Sequence, residues 1–353
     1  MLKVWGFDGP FYLQWHITED CNLNCIHCYR EKRNIVKPEK SDLIRVLKNF
    51  NRFLKSINKC GRIQISGGEP LLSEHLFSIL AEAKKCGYPV RVLSNGTLVS
   101  RDLAKRLNDS GCRIVQVSFE GSEEIHDKIR GVGSFRKALE GAKILHDENI
   151  DVTVMMTVSD INYQALTETI KLTSPYVRRF AFSRLVPWGS AKTLTGSILS
   201  AKQVKGLFKE FYKLDLQTSD VDVAKTYRDP LWQGYFGNVN PLLLGGCSIG
   251  YNGICVDTDG TVYPCRRLPL SLGNVHDMDL TQIWKSEILQ ELRNRDQLKG
   301  KCGKCKLRWQ CGGCRAIAYA KTGDYMSEDP QCFIPSSILS PNFVGIVKSS
   351  STY

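Results

Sequence analysis

The chain reads as an α/β protein: a partial (β/α)6 barrel of the TIM type over residues 1–240, then a small cysteine-rich domain over 241–335 and a tail over 336–353. Two observations predict this. Short apolar, β-branched runs recur six times between residues 11 and 186 with longer amphipathic stretches between them, the sequence form of repeated β–α units around a parallel sheet. Further on, the alternation stops and cysteine becomes dense, with eight of the fourteen cysteines beyond residue 240.

The predicted strands are FYLQWHIT (11–18), RIQIS (62–66), VRVLS (90–94), RIVQVSF (113–119), DVTVMMTV (151–158) and RFAFSRLV (179–186). Between the first two, residues 41–57 place Leu43, Val46, Leu47, Phe50, Phe53 and Leu54 on one helical face, with Ser41 as the expected cap of an outer helix. Polar sequence near 188–203 and a Pro/Gly-containing stretch at 228–246 mark a change of character, and the boundary is placed near 240. In the second part, residues 279–295 read as a single helix between two cysteine groups, and the last eighteen residues have little periodicity. No repeat of solenoid type is visible.

Composition narrows the class. The 353 residues suffice for a large domain and an appendage, 42% hydrophobic and 24% charged content is that of a globular chain, and no apolar run approaches the ~18–20 residues of a membrane span. The first ten residues, MLKVWGFDGP, lack the order of a secretory signal, which predicts a cytoplasmic, reducing location. Fourteen thiols there point to metal and not to disulfides. The formal charge of +12 counts every cysteine as neutral, and about eleven metal-bound thiolates around three cores of roughly +2 each would lower it by about five. The remaining basic residues are scattered, which predicts a solvated surface and no nucleic-acid groove.

The first strand runs into EDCNLNCIHCYR, so Cys21, Cys25 and Cys28 fall on a loop at the carboxyl end of a strand, the face where barrel sheets place their chemistry. Three converging thiolates are one short of a structural zinc site and suit a four-iron cluster with one iron open to a reactant. This Cys-x3-Cys-x2-Cys run, with His27 before and Tyr29 after its third cysteine, resembles the signature of the radical S-adenosylmethionine (SAM) superfamily. The resemblance implies a 4Fe–4S cluster on Cys21, Cys25 and Cys28, chelation of SAM by its open iron, and reductive cleavage to methionine and a 5′-deoxyadenosyl radical. Gly67-Gly68-Glu69-Pro70 follows the second strand: glycines there let backbone approach a ligand, and a carboxylate can accept from an ammonium. It resembles the family's GGEP loop, which holds the methionyl amine of SAM. Asn95 at the end of the third strand and Ser118 at the end of the fourth look like family elements bordering the cosubstrate, and both residue types also serve as turn and strand-end formers. Glu120 stands where the family usually has Asp, and His126, Arg130 and Arg184 are equally readable as capping or salt-bridge residues.

Cys247, Cys255, Cys265, Cys302, Cys305, Cys311, Cys314 and Cys332 follow an order that resembles the SPASM extension of radical SAM enzymes, whose auxiliary clusters have interleaved ligands. By that resemblance Cys302, Cys305, Cys311 and Cys332 hold one cluster, and Cys247, Cys265 and Cys314, with Cys255 as candidate fourth, hold another. The competing class is a zinc-binding nucleic-acid module, but five residues between the two Cys-x2-Cys pairs fall far below the ~15–20 of zinc ribbons. Cys60, Cys86 and Cys112 lack partner spacing and read as ordinary buried thiols.

The resemblance implies hydrogen abstraction followed by oxidation or coupling of the substrate radical, fed by a low-potential donor such as ferredoxin or flavodoxin. Arg266 follows Cys265 where anaerobic sulfatase maturases carry an aspartate, which weighs against that subfamily. Two substrate classes stay open: a ribosomally made peptide or protein, and a tetrapyrrole side chain in alternative-haem or haem d-type synthesis. The two-residue gap before Cys314 leans to tetrapyrroles, and the start of the chain about twenty residues before Cys21 leaves no peptide-recognition domain there, though a separate protein can supply one. The wider occurrence of peptide maturases sets peptide modification as the leading expectation. A cluster-bearing binding protein without radical chemistry is the remaining class, opposed by the intact cysteine and GGEP motifs.

Overall fold

A computed structural model of the chain describes residues 9–31, 37–214, 217–218, 221–236 and 246–335. The boundary placed near 240 and the tail over 336–353 lie outside the described residues.

The six expected strands form: β1 (Phe11–His16), β2 (Gly61–Ser66), β3 (Val90–Ser94), β4 (Ile114–Ser118), β5 (Asp151–Val158) and β6 (Arg179–Arg184). They lie side by side in that order, each pair parallel. Four short strands extend the sheet beyond expectation: β7 (Ala224–Thr226) pairs parallel with β6, β8 (Gly253–Val256) pairs parallel with β1, and β9 (Thr261–Tyr263) and β10 (Gly273–Asn274) continue antiparallel from β8. Its two ends, β10 and β7, do not meet, so the barrel stays open. The sheet thus runs through both regions of the chain.

Strand alternation divides the sheet into an outer apolar face and an inner polar one. On β1 the odd residues Phe11, Leu13 and Trp15 are fully buried against α1 (Lys40–Ile57), with Phe11 edge-on to Phe53 at 5.0 Å between ring centroids. Trp284 from the cysteine-rich region packs edge-on to Phe11 at the same 5.0 Å separation. Truncating so enclosed a ring costs about 3–5 kcal/mol. Phe180 and Phe182 of β6 likewise pack on Phe208 and Phe211 of α2 (Ala201–Lys213). The opposite parity faces inward, and Leu93, Gln116, Ser118, Met155, Thr157 and Ser183 line an interior cavity of about 730 Å³.

The apolar face of α1 is the expected one, but its cap is not. Ser41 lies inside the first turn, and the helix starts after Glu39, whose side chain makes no capping hydrogen bond. Asn49, buried among apolar neighbours, accepts from the Leu280 N–H at 2.9 Å and donates to the Met278 carbonyl at 3.3 Å, tying the helix to the cysteine-rich region. The single helix expected over 279–295 is two, Leu280–Ile283 and Glu287–Arg293. The break has a visible cause: the Trp284 carbonyl is taken by the Arg293 guanidinium at 2.8 Å, and Lys285 and Ser286 close i→i+3 turns. Of the three cysteines expected to be buried only Cys112 is; Cys60 in the turn before β2 and Cys86 at a helix end are exposed.

Candidate functional site

The loop after β1 places Cys21, Cys25 and Cys28 on the wall of the interior cavity, at the carboxyl end of the parallel strands. Backbone contacts fix it at several points: Cys28 N–H to the Cys25 carbonyl at 3.2 Å, Ile26 N–H to the Ile129 carbonyl at 3.0 Å, and Ala191 N–H to the Cys28 carbonyl at 3.1 Å. Burial pushes the Cys25 thiol up to about 11 and raises that of Cys21 as well, so metal loading here must displace protons.

Gly67 and Gly68 serve a closer approach than the sequence suggested, to the cysteine loop's own backbone. A Cβ on Gly67 would stand 2.4 Å from the Thr18 carbonyl oxygen, and one on Gly68 2.3 Å from that of Asp20. Gly68 N–H donates to Thr18 O at 2.8 Å and Glu69 N–H to Asp20 O at 2.7 Å. The Glu69 carboxylate is wholly buried and accepts from the Asn95 N–H (2.7 Å), the Ser94 hydroxyl (2.9 Å) and the Leu71 N–H (3.1 Å). Burial lifts its pKa to about 7 against the pull of these three donors. These bonds knit the loop to the end of the third strand, and Gly67 and Gly68 line the cavity. Pro70 is buried at the start of a short 3-10 turn behind them.

Asn95 lines the cavity and joins the third strand to the cysteine loop. Its amide donates to Asn22 Oδ1 at 2.9 Å, its Oδ1 accepts from the Thr97 N–H and hydroxyl, and Asn22 donates in turn to Thr97 Oγ1 at 2.8 Å. Ser118 lines the cavity at the end of β4. Next to it, the fully buried Glu120 accepts from Arg130 at 2.6 and 3.0 Å and from the Thr157 N–H at 2.9 Å, and sits 3.1 Å from His27 Nε2. Burial alone would raise its pKa; Arg130 and His27 outweigh it and hold the carboxyl at about 2. Arg130 also comes within 3.9 Å of the Cys25 sulfur, a cation beside the cysteine loop. His126 is structural, its Nδ1 accepting from the Glu120 N–H at 3.3 Å between Phe119 and Phe135.

Sequence reasoning missed a second network. His16, at the end of β1, lies 3.1 Å from Asp257 through Nδ1 and 3.1 Å from the Tyr29 hydroxyl through Nε2. Burial, then the Arg30 charge, lowers its pKa to about 4, so the ring is neutral at neutral pH. Asp257 also takes Arg30 at 3.0 Å, and Glu19 takes Arg30 and the Thr258 hydroxyl. Tyr29 beside Cys28 was the available signal; the separation of 241 positions between His16 and Asp257 concealed the rest.

Of the two later cysteine sets, the structure brings the four members of the first to one void. Cys302, Cys305, Cys311 and Cys332 surround one small void of about 20 Å³. Gly312 and Gly313, both with left-handed backbone (φ +69° and +58°), turn the chain between Cys311 and Cys314. The second set is linked less directly. Cys247 N–H donates to the Cys311 carbonyl at 2.9 Å, and burial raises the Cys314 thiol to about 11 and that of the wholly buried Cys255 as well. Cys255 stands opposite Gln14 on the inner face of β1, its sulfur 4.0 Å from His16 Nδ1. Arg184 is a salt-bridge residue, fully buried on Asp229 (2.7 Å) and Asp329 (2.8 Å), and Asp329 accepts from the Cys314 N–H at 2.8 Å.

Among the described residues no three or more His, Cys, Asp or Glu side chains close around a single ion. The two thiol groups that line voids, each with a guanidinium alongside, suit anionic iron–sulfur clusters: Arg130 lies 3.9 Å from the Cys25 sulfur and Arg315 3.7 Å from the Cys302 sulfur.

Comparison with known proteins agrees. The Radical SAM superfamily profile matches residues 15–173, and that of the SPASM iron-sulfur cluster-binding domain matches 247–306. An AdoMet-dependent heme synthase of Methanosarcina barkeri is 31% identical over 92% of this chain and 97% of its own length. The chain belongs to the radical SAM superfamily. It is a radical SAM enzyme with a C-terminal SPASM domain, a partial TIM-type barrel that uses a 4Fe–4S cluster and SAM and carries auxiliary iron–sulfur clusters. It is also similar to the mycofactocin maturase MftC of Mycobacterium ulcerans, 27% identical over 93% of this chain and 89% of that one. Among solved structures, Streptococcus suis SuiB bound to precursor peptide SuiA superposes with a TM-score of 0.72 at 17% identity, over 91% of this chain and 75% of that one, a likeness of fold. No described helix of this radical SAM enzyme is long and apolar enough to cross a membrane.

Proposed function

We propose that this radical SAM enzyme modifies a side chain of a tetrapyrrole. The observation that carries the reading is the kinship with an AdoMet-dependent heme synthase along 97% of that protein's length, above the 27% identity to the mycofactocin maturase MftC. The two-residue gap between Cys311 and Cys314 leans the same way. Sequence alone favours peptide modification; the relatives shift the weight to the tetrapyrrole.

In this reading Cys21, Cys25 and Cys28 hold the cluster at which SAM is cleaved, supplying a 5′-deoxyadenosyl radical that removes a hydrogen atom from the substrate. The backbone of Gly67 and Gly68, with Asn95 and Ser118, forms the wall against which SAM lies. Arg130, held by Glu120, places positive charge beside Cys25. Cys302, Cys305, Cys311 and Cys332 hold one auxiliary cluster and Cys247, Cys255, Cys265 and Cys314 the other. A ferredoxin- or flavodoxin-type donor supplies the reducing electron.

The test is anaerobic incubation of reduced, cluster-loaded enzyme with SAM and an iron porphyrin bearing four propionates. Faster 5′-deoxyadenosine formation and a changed porphyrin mass are expected. An unaltered porphyrin with no stimulation would sink the reading, and a mass change in a precursor peptide would establish the second one, peptide modification, which the likeness to MftC favours.

A further inference from the structure

One fully buried aspartate touches both later cysteine sets. Asp329 accepts from the Cys314 N–H through Oδ2 at 2.8 Å, and its own N–H donates to the Cys302 sulfur at 3.5 Å. Its carbonyl takes the Cys332 N–H at 3.1 Å. The fit is close, since a Cβ on Gly313, next to Cys314, would stand 2.9 Å from Asp329 Cβ and 3.4 Å from the Cys302 sulfur. Arg315 brings a cation to the same sulfur at 3.7 Å.

The same carboxylate is fixed to the barrel. Arg184 donates to Asp329 Oδ1 at 3.0 Å and Oδ2 at 2.8 Å, and on its other side to Asp229 at 2.7 and 3.1 Å. Gln331 closes the group, its N–H donating to Asp329 Oδ1 at 3.0 Å and its Oε1 accepting from Arg184 at 2.9 Å. Arg184 ends β6, whose Ser183 lines the cavity, and Leu185 and Val186 continue that wall. An ion pair buried this deeply is often no more stabilising than apolar packing, so stability alone does not account for it. Its contacts at the cysteines do: hydrogen bonds and charges beside the ligands orient an iron–sulfur cluster and set its reduction potential.

We propose that Asp329 is a positioning residue shared by the two auxiliary centres: through Arg184 it fixes both cysteine sets to the cavity wall, and its charge beside Cys314 holds down the reduction potential of the cluster bound there. The inference rests on the two ligand sets proposed above and holds for either class of substrate. Asp229, on the far side of the same guanidinium, makes no hydrogen bond to either set among the described residues, so it separates the ion pair from the cysteine contacts.

The test compares anaerobically purified, cluster-loaded wild type, Asp329→Asn and Asp229→Asn by iron and sulfide content and by redox titration followed by electron paramagnetic resonance, with Cys302→Ala and Cys314→Ala to assign the auxiliary signals. Each cysteine variant should lose about a third of the iron and one auxiliary signal. Both aspartate variants take one charge from Arg184, so an effect of the ion pair alone appears in both. Asp329→Asn should move the midpoint of the signal missing from Cys314→Ala to a more positive potential, further than Asp229→Asn does, while the signal that responds to SAM keeps its midpoint. Loss of auxiliary iron from Asp329→Asn that Asp229→Asn retains supports the proposal as well, since the holding contacts then fail. An unmoved midpoint, a shift to lower potential, or a change matched by Asp229→Asn refutes it and leaves the ligand sets standing. Full iron in both cysteine variants overturns the ligand sets, and the proposal with them.

Discussion

Gly68→Ala adds one methyl group where the GGEP loop lies against the cysteine loop. That carbon would stand 2.3 Å from the Asp20 carbonyl oxygen and 2.5 Å from that of Glu19, so the Asp20 carbonyl must retreat by about 0.7 Å to reach even the 3.0 Å floor of real contacts. The obstacle is backbone, which cannot rotate aside, and Asp20 precedes Cys21. The retreat also stretches the 2.7 Å bond from the Glu69 N–H to Asp20 O, worth about 1 kcal/mol. A misplacement approaching 1 Å in a reacting assembly can cost about 100-fold in rate. The variant, purified anaerobically, should therefore keep its auxiliary iron, lose about a third of its total iron, and form 5′-deoxyadenosine roughly 100-fold more slowly. The control is Gly206→Ala on the exposed side of α2, where nothing lies within 4 Å of the added carbon; it should keep full iron and gain about 0.5–1 kcal/mol. If Gly68→Ala matches wild type in iron and in cleavage rate, the loops are not packed as described and the reasoning fails.

Two further outcomes follow from buried groups. A carboxyl held at about 2 against an ordinary 4.5 contributes about 3 kcal/mol at neutral pH, so Glu120→Gln should lower the thermal midpoint by several degrees. Because the folded pKa is the depressed one, this stability is complete above pH 4.5 and lost as pH falls towards 2; calorimetry should show a constant gap from wild type between about pH 8 and 5 that closes below, and a gap that widens on acidification would contradict the assignment. Cys255→Ser should remove one auxiliary cluster, seen as a loss of about a third of the iron with the Cys21 loop still loaded, whereas full iron content would make Cys255 a packing thiol beside His16.

What the sequence made legible was what local pattern encodes. The six strands lie where β-branched runs put them, and the apolar stripe of α1 buries the six residues that its period picks out. The motif spacing led to the cysteine loop and to the four cysteines that line the void beside Cys302, because most of them lie close together in sequence. Pairings at long range stayed hidden. Asn49 looked like a flaw in an apolar stripe until the backbone at 278–280 supplied its partners, and no local signal announces that Trp284 will yield its carbonyl to Arg293. Glu69 is the instructive case: its carboxylate also accepts from Ser94 and Asn95 at the end of the neighbouring strand, which no local pattern shows.

The place of β8 beside β1 has a consequence for synthesis. Tyr12 pairs with Gly253, so the first strand to leave the ribosome waits for roughly 240 residues before its free edge is covered. Until then a strand carrying Phe11, Leu13 and Trp15 can template pairing with other chains, and the cysteine loop that follows it lacks Asp257 and Thr258 as partners for its Arg30 and Glu19. Nascent chains halted before β8 should aggregate and load iron poorly, which ties cluster insertion in the barrel to arrival of the C-terminal third.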